Sequence, residues 1–195
     1  MKQLWILTGG NGSGKSTFFK IMLKPLGVSF VNADMLALTL GEPITDEKSR
    51  QAQKMALALF HEKISKGDNF CFETVFSHPS KLELIREAQE SGYEVTLVYI
   101  HLANDSLNQA RVYQRVAEGG HNVPADKIKS RIPRTMENVH LALPMVRDAV
   151  LYDNSYSESN GGAFQEIAQV HQGTVVSSID PLPAWATEML AGLSH

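Results

Sequence analysis

Between a short apolar run, Leu4 to Leu7, and a helical pattern beginning at Lys15 stand the residues Gly9-Gly10-Asn11-Gly12-Ser13-Gly14-Lys15-Ser16, which satisfy G-x-x-x-x-G-K-[ST]. No other feature limits the chain so strongly. A strand that ends in glycines and re-enters as a helix turns successive backbone N–H groups toward one oxyanion, and the helix start adds its positive dipole end. The guest that suits such a loop is a nucleoside triphosphate. Gly9, Gly10, Asn11, Gly12, Ser13 and Gly14 form the cradle, Lys15 reaches the β and γ phosphates, the Ser16 hydroxyl completes a Mg²⁺ shell, and Thr17 serves the α phosphate. The competing reading, a glycine turn that merely caps a helix, has no use for a lysine before the hydroxyl residue.

The remaining chain alternates in period. Short β-branched or aromatic runs at Val28 to Val31, Asn69 to Val75, Glu94 to Leu102 and Ala149 to Tyr152 are separated by helical stripes, of which Thr45 to Lys66 is the strongest and Ser80 to Glu90 the next. Further helical stretches fall near Asp105 to Ala117 and Pro124 to Val139. Strands that alternate with helices imply parallel pairing with helical crossovers. The expected fold is therefore α/β, a doubly wound, mainly parallel five-stranded sheet of P-loop kinase type. A helical lid near 111–139 and a small C-terminal hairpin plus helix, near 163–195, complete it. At 195 residues one domain accounts for the whole chain, and the stretch Ser155 to Gly162 is its one linker-like segment.

Ligands of open α/β sheets sit beyond the carboxyl ends of the strands, which places Asp34, after the second strand, and Glu73, ending the third, beside the phosphates. Transfer of a phosphoryl group to an alcohol needs one acid to hold and deprotonate the hydroxyl. Asp34 is assigned that role; the alternative is that it caps the helix that follows. Glu73 is assigned to the acceptor, with Thr74 adding a hydrogen bond, while water-mediated Mg²⁺ binding or a plain ion pair are the other readings of Glu73. Between Arg111 and Arg134 six basic side chains stand against two acidic ones, in a chain whose net charge is −3. Arginines that arrive with a closing lid fit the dispersed charge of a transferring phosphoryl group, so Arg115, Arg131 and Arg134 are candidates, with Gly119-Gly120 as hinge. Pro133, between two of them, is a candidate kink. A solvated basic helix would have the same composition. Asn154, after the fifth strand, is placed at the adenine.

The phosphate loop, Phe30-Val31-Asn32-Ala33-Asp34, Phe72-Glu73-Thr74-Val75 and Gly119-Gly120-His121-Asn122-Val123-Pro124 followed by Arg131 and Arg134 together resemble the zeta toxin family, in particular its short, free-standing branch of ATPase-like members. The likeness runs from about Leu4 to Ser155. It implies an ATP-dependent kinase with a small-molecule acceptor, a UDP-amino sugar in the members that act as toxins, and a separate small antitoxin as partner. It also puts the catalytic aspartate at Asp34.

The guanine-reading N-K-x-D sequence is absent, which favours ATP over GTP, and so is the transporter signature L-S-G-G-Q. A P-loop ATPase or nucleotide-dependent switch, with Glu73 or Asp153 orienting water, stays open as the alternative, and an interaction module that keeps nucleotide only for stability ranks third. The net charge offers no field for coating nucleic acid. No run of 18 apolar residues exists to cross a bilayer. The lone Cys71 reads as core packing and fits a reducing compartment, so the cytoplasm is the expected location.

Overall fold

The computed structural model describes residues 1–102, 125–155 and 164–194. Arg115, the Gly119-Gly120 hinge, the helix expected over 105–117 and most of the 155–162 linker lie outside the described residues. The expected parallel strands are β1 (Lys2–Gly9), β2 (Ser29–Val31), β3 (Phe70–Thr74), β4 (Tyr93–His101) and β5 (Asp148–Asp153). Two more, β6 (Gln165–His171) and β7 (Thr174–Ser178), form the C-terminal hairpin. The hairpin joins the main sheet, giving seven strands in the order β2-β3-β1-β4-β5-β6-β7. β6 runs antiparallel to β5 with Ala149 opposite Val170 and Leu151 opposite Ala168, so a strand with a buried apolar face is not left as an edge.

Period-two alternation divides the core. Leu4, Ile6, Phe70, Phe72, Val95, Leu97 and Tyr99 face one side, where α3 (Asp46–Lys66), α4 (Ser80–Glu90), α5 (Ala125–Ala142) and α6 (Ala184–Leu190) pack through residues such as Phe60, Ile85, Val139 and Met189. Leu7, Cys71, Val98 and Ile100 face the other, covered by Phe18, Phe19 and Leu23. Those three come from α1 (Lys15–Phe18) and the wider π turn that continues it over Phe19–Leu23. Burial raises the Cys71 thiol well above its usual range, which leaves it a packing residue.

β1 lies between β3 and β4. Because the chain crosses from one side of β1 to the other after β3, a crevice opens beyond the carboxyl ends of these strands. α2 (Ala33–Thr39) begins there, directly after β2. α5 reaches over the same edge, tied down by two buried side chains: Thr135 Oγ1 donates to the Val75 carbonyl at 2.8 Å and Asn138 Nδ2 to the Phe76 carbonyl at 2.9 Å. Pro133 does not interrupt α5, and Arg131 and Arg134 remain on one side of it. Among the described residues no helix is long and apolar enough to cross a membrane.

Candidate active site

The phosphate loop turns where Gly14 takes a left-handed conformation, φ 98°, immediately before α1. A side chain there would strike the Asn154 amide at 2.6 Å, because Asn154 Nδ2 donates to the buried Ser13 carbonyl at 2.9 Å and pins the loop to the end of β5. Asn154 therefore contacts the loop backbone, whatever else it meets. Lys15 is almost wholly buried; its ammonium donates to the Gly9 and Gly10 carbonyls at 3.0 and 2.9 Å and lies 3.8 Å from Glu73 Oε1.

Glu73, ending β3, is the hub of this arrangement. Its Oε2 accepts from Ser16 Oγ at 3.0 Å and from Asn32 Nδ2 at 2.5 Å. Burial, reinforced by Asp34, pushes the Glu73 carboxyl above its ordinary range, while Lys15, Ser16 and Asn32 pull the other way. The geometry thus sets Glu73 on the phosphate side of the crevice, against the hydroxyl read as the metal ligand. Thr74, expected to touch the acceptor, uses its hydroxyl to accept from the Phe76 N–H at 3.1 Å, in the turn where Phe76 itself takes φ 63°.

Asn32 was not among the expected site residues, although its position offered a signal: it stands just before a helical run. Its Oδ1 accepts from the Met35 N–H at 2.9 Å and so caps α2. With the cap supplied by Asn32, Asp34 falls in the first turn, half-buried, on the wall of a cleft. That cleft measures ≈ 710 Å³ and is walled by the end of β3, the starts of α2, α3 and α4, and the first turns of α5. Arg131 and Arg134 line it from α5. Arg131 donates to Asn11 Oδ1 of the phosphate loop at 3.4 Å, and burial followed by the nearby Arg134 lowers its pKa, against the pull of Asp34. Arg134 is exposed and braced on its own helix through Ser130. Asp34, Glu73, Arg131 and Arg134 thus share one crevice, and Lys15, Ser16 and Asn11 are tied to it.

The donor set fits a magnesium triphosphate. A hydroxyl and a carboxylate meet at Ser16 and Glu73, hard oxygen donors of the kind magnesium takes alongside phosphate oxygens. Ser13 Oγ is buried inside the loop with no hydrogen-bond partner among the described residues, a polar group left over by the protein's own bonding. Among the described residues no group of three or more His, Cys, Asp or Glu gathers as a metal cage.

A second polar cluster, not anticipated from the sequence, lies at the ends of β4 and β5. His101 stacks on Trp185 of α6 with ring centroids 4.2 Å apart, Tyr99 Oη meets His101 Nδ1 at 3.1 Å, and Trp185 Nε1 donates to Asp153 Oδ2 at 3.1 Å. Burial pushes His101 down to about 4. The C-terminal helix thereby grips the residue next to Asn154.

Comparison with known proteins agrees with this architecture. Residues 4–136 match the family described as an AAA domain. An uncharacterized protein of Haemophilus influenzae is 30% identical over 137 residues, which is 67% of this chain and 97% of that protein. In structure the chain resembles AvrRxo1-ORF1 in its complex with ORF2 and ATP, with a TM-score of 0.72 and 18% identity over 91% of this chain and 60% of the other. It also resembles a structure of the PezAT chromosomal toxin–antitoxin system of Streptococcus pneumoniae, with a TM-score of 0.63 and 20% identity over 84% of this chain and 76% of the other. The chain spans about three fifths of the AvrRxo1 chain it matches. With the loop, the strand order and these matches in hand, the chain belongs to the AAA domain family of P-loop proteins and shares a P-loop kinase-like fold with the AvrRxo1-ORF1 and PezAT structures.

Proposed function

We propose that the protein is an ATP-dependent phosphotransferase that moves the γ-phosphate of ATP to a hydroxyl of a small-molecule acceptor, with UDP-amino sugars the first acceptors to test. The observation that carries this reading is the ≈ 710 Å³ cleft that Asp34, Glu73, Arg131 and Arg134 line together. Its size is that of a small-molecule site.

In this reading the phosphate loop, with Thr17, holds the triphosphate and Lys15 leaves its carbonyl partners for the β and γ phosphates. Mg²⁺, bound at Ser16 and Glu73, would supply charge neutralisation between the phosphates. Asp34 accepts the proton of the acceptor hydroxyl. Arg131, already in contact with the loop through Asn11, and Arg134 stabilise charge on the transferring group, with Arg115 as the third lid arginine. Asn154 serves by holding the loop at Ser13 and borders the adenine. Thr74 shapes the floor of the acceptor site. The AvrRxo1-ORF1 structure contains ATP and PezAT is described as a toxin–antitoxin system, which supports the choice of nucleotide and the proposal of a separate small antitoxin.

Hydrolysis without an acceptor is the second reading, favoured by the contact of Glu73 with both Ser16 and Lys15, where a water-orienting carboxylate would sit. ADP release separates the two. Purified protein with ATP and Mg²⁺ is expected to release ADP only when an acceptor is added from a panel of UDP-sugars, nucleosides and sugars. The same rate with and without every acceptor would establish the hydrolase.

A further inference from the structure

The cleft is lined by five cationic side chains, Arg50, Lys81, Lys127, Arg131 and Arg134, and three acidic ones, Asp34, Asp46 and Glu73. Glu73 is engaged by Lys15 and Ser16. Arg131 and Arg134 have an assignment at the transferring phosphate; the wall made by α3 and α4 does not. On that wall Lys81 stands apart. It is the second residue of α4, in the first turn of an 11-residue helix, where the helix dipole opposes a cation. It is half-buried, and desolvation lowers its pKa. Its ammonium lies 5.8 Å over the Phe72 ring, and among the described residues it has no carboxylate and no hydrogen-bond acceptor. The first N–H groups of α4 are no substitute partners for an anion, because Ser80 N–H is taken by His78 Nδ1, and Lys81 and Leu82 N–H by the His78 and Pro79 carbonyls.

A lysine that is partly desolvated, set at the wrong end of a helix and left without an acid costs stability, and the cost is met when an anion arrives. Phe72 beneath it recovers part of this by cation–π attraction. Of the other cleft cations without an assignment, Arg50 on α3 and Lys127 on α5 are exposed, so Lys81 is the one whose charge is shielded from solvent competition.

We infer that Lys81 is the specificity residue of the acceptor site, and that the acceptor carries an anionic group, phosphate or carboxylate, which Lys81 binds away from the hydroxyl that is phosphorylated. This rests on the phosphotransferase reading. Neutral polyols lack the group and are poor acceptors.

The test divides a deproteinised metabolite extract on an anion exchanger and measures acceptor-dependent ADP release with each fraction. The retained fraction should outperform the flow-through by about tenfold or more, the factor a charged hydrogen bond supplies. Phosphatase treatment of the retained fraction, followed by removal of the phosphatase, identifies the group: a sensitive acceptor carries a phosphate monoester, a resistant one a carboxylate or diphosphate. Lys81→Met should cut the retained-to-flow-through ratio by about fivefold or more, Lys81→Arg should keep it within about twofold, and Lys81→Met should melt no lower than the parent protein because an unpaired cation is removed. Equal activity of the two fractions, an unchanged ratio in Lys81→Met, or a Lys81→Met protein that melts well below the parent would overturn the inference while the phosphotransferase reading stands. Absence of ADP release with every fraction, by a protein that binds ATP, would bring down the phosphotransferase reading and this inference with it.

Discussion

Replacing Gly14 by alanine separates two costs that the phosphate loop imposes on its backbone. Gly14 has φ 98° and its added Cβ would meet Asn154 Nδ2 at 2.6 Å and the Phe164 ring at 3.2 Å, whereas Gly27, φ 74°, has nothing within 4 Å. Both substitutions incur about 1–2 kcal/mol of left-handed strain, and both gain the same small entropic benefit of about 0.4–1 kcal/mol through the unfolded chain. These parts cancel in the comparison. What remains for Gly14→Ala is the displacement of Asn154 from the buried Ser13 carbonyl, a loss of about 1–3 kcal/mol when a buried acceptor is stranded. For a chain of 195 residues each kcal/mol moves the melting temperature by about 2–4 °C. Gly14→Ala should therefore melt about 4–8 °C below Gly27→Ala for a middle value of about 2 kcal/mol. Thermal unfolding by circular dichroism gives the comparison, and calorimetric titration with ATP and Mg²⁺ adds the functional arm. Gly14→Ala should bind at least about tenfold more weakly, since a shifted loop no longer presents its N–H groups together, and Gly27→Ala should bind as the parent does. Equal melting temperatures and equal affinities in the two variants would refute the claim that Asn154 holds the loop.

Asp34→Asn should lower acceptor phosphorylation by about 10²–10⁴-fold while ATP still binds; a retained rate in a folded variant removes Asp34 as the base. Glu73→Gln should be more stable than the parent above the acidic range, because a carboxyl whose folded pKa is raised from its ordinary 4.5 stabilises the fold below that value and loses this contribution as pH rises through the folded value. A melting-temperature difference that does not change between pH 4 and pH 8 contradicts the burial of Glu73. His101, pushed down to about 4 by burial, contributes stability that is present above its ordinary 6.5 and is lost as pH falls from there toward about 4. Its imidazole should remain neutral at pH 5.5 by NMR titration, and a midpoint near 6.5 would show that the Trp185 stack does not exclude water.

What the sequence made legible was local. The Gly9 to Ser16 pattern and the β-branched and aromatic run from Asn69 to Val75 located the loop and a central strand, because backbone curl and strand-forming runs are written within a few residues. Asp34 was the cap the sequence suggested as the alternative to catalysis, and only the helix start, directly after Asn32, gives the cap to Asn32. Glu73 was recognised as a site residue, yet its side within the crevice depended on Ser16 and Lys15, more than fifty positions away. Thr135 and Asn138 look like ordinary polar residues of an amphipathic helix until the carbonyls of Val75 and Phe76 come into reach. The hairpin of β6 and β7 was readable as a hairpin; its union with β5 was not, since edge pairing is settled by what else needs cover. Lys81 carried no signal in its own neighbourhood, because being unpartnered is a property of the packed molecule.

The most direct test of the account follows the label of γ-³²P-ATP in the presence of Mg²⁺ and a metabolite extract, with the parent protein, Lys15→Met and Asp34→Asn side by side. The account predicts that the parent moves the label to an organic acceptor, that Asp34→Asn binds ATP without moving it, and that Lys15→Met does neither. Label recovered only as inorganic phosphate, at the same rate with and without the extract, would contradict it.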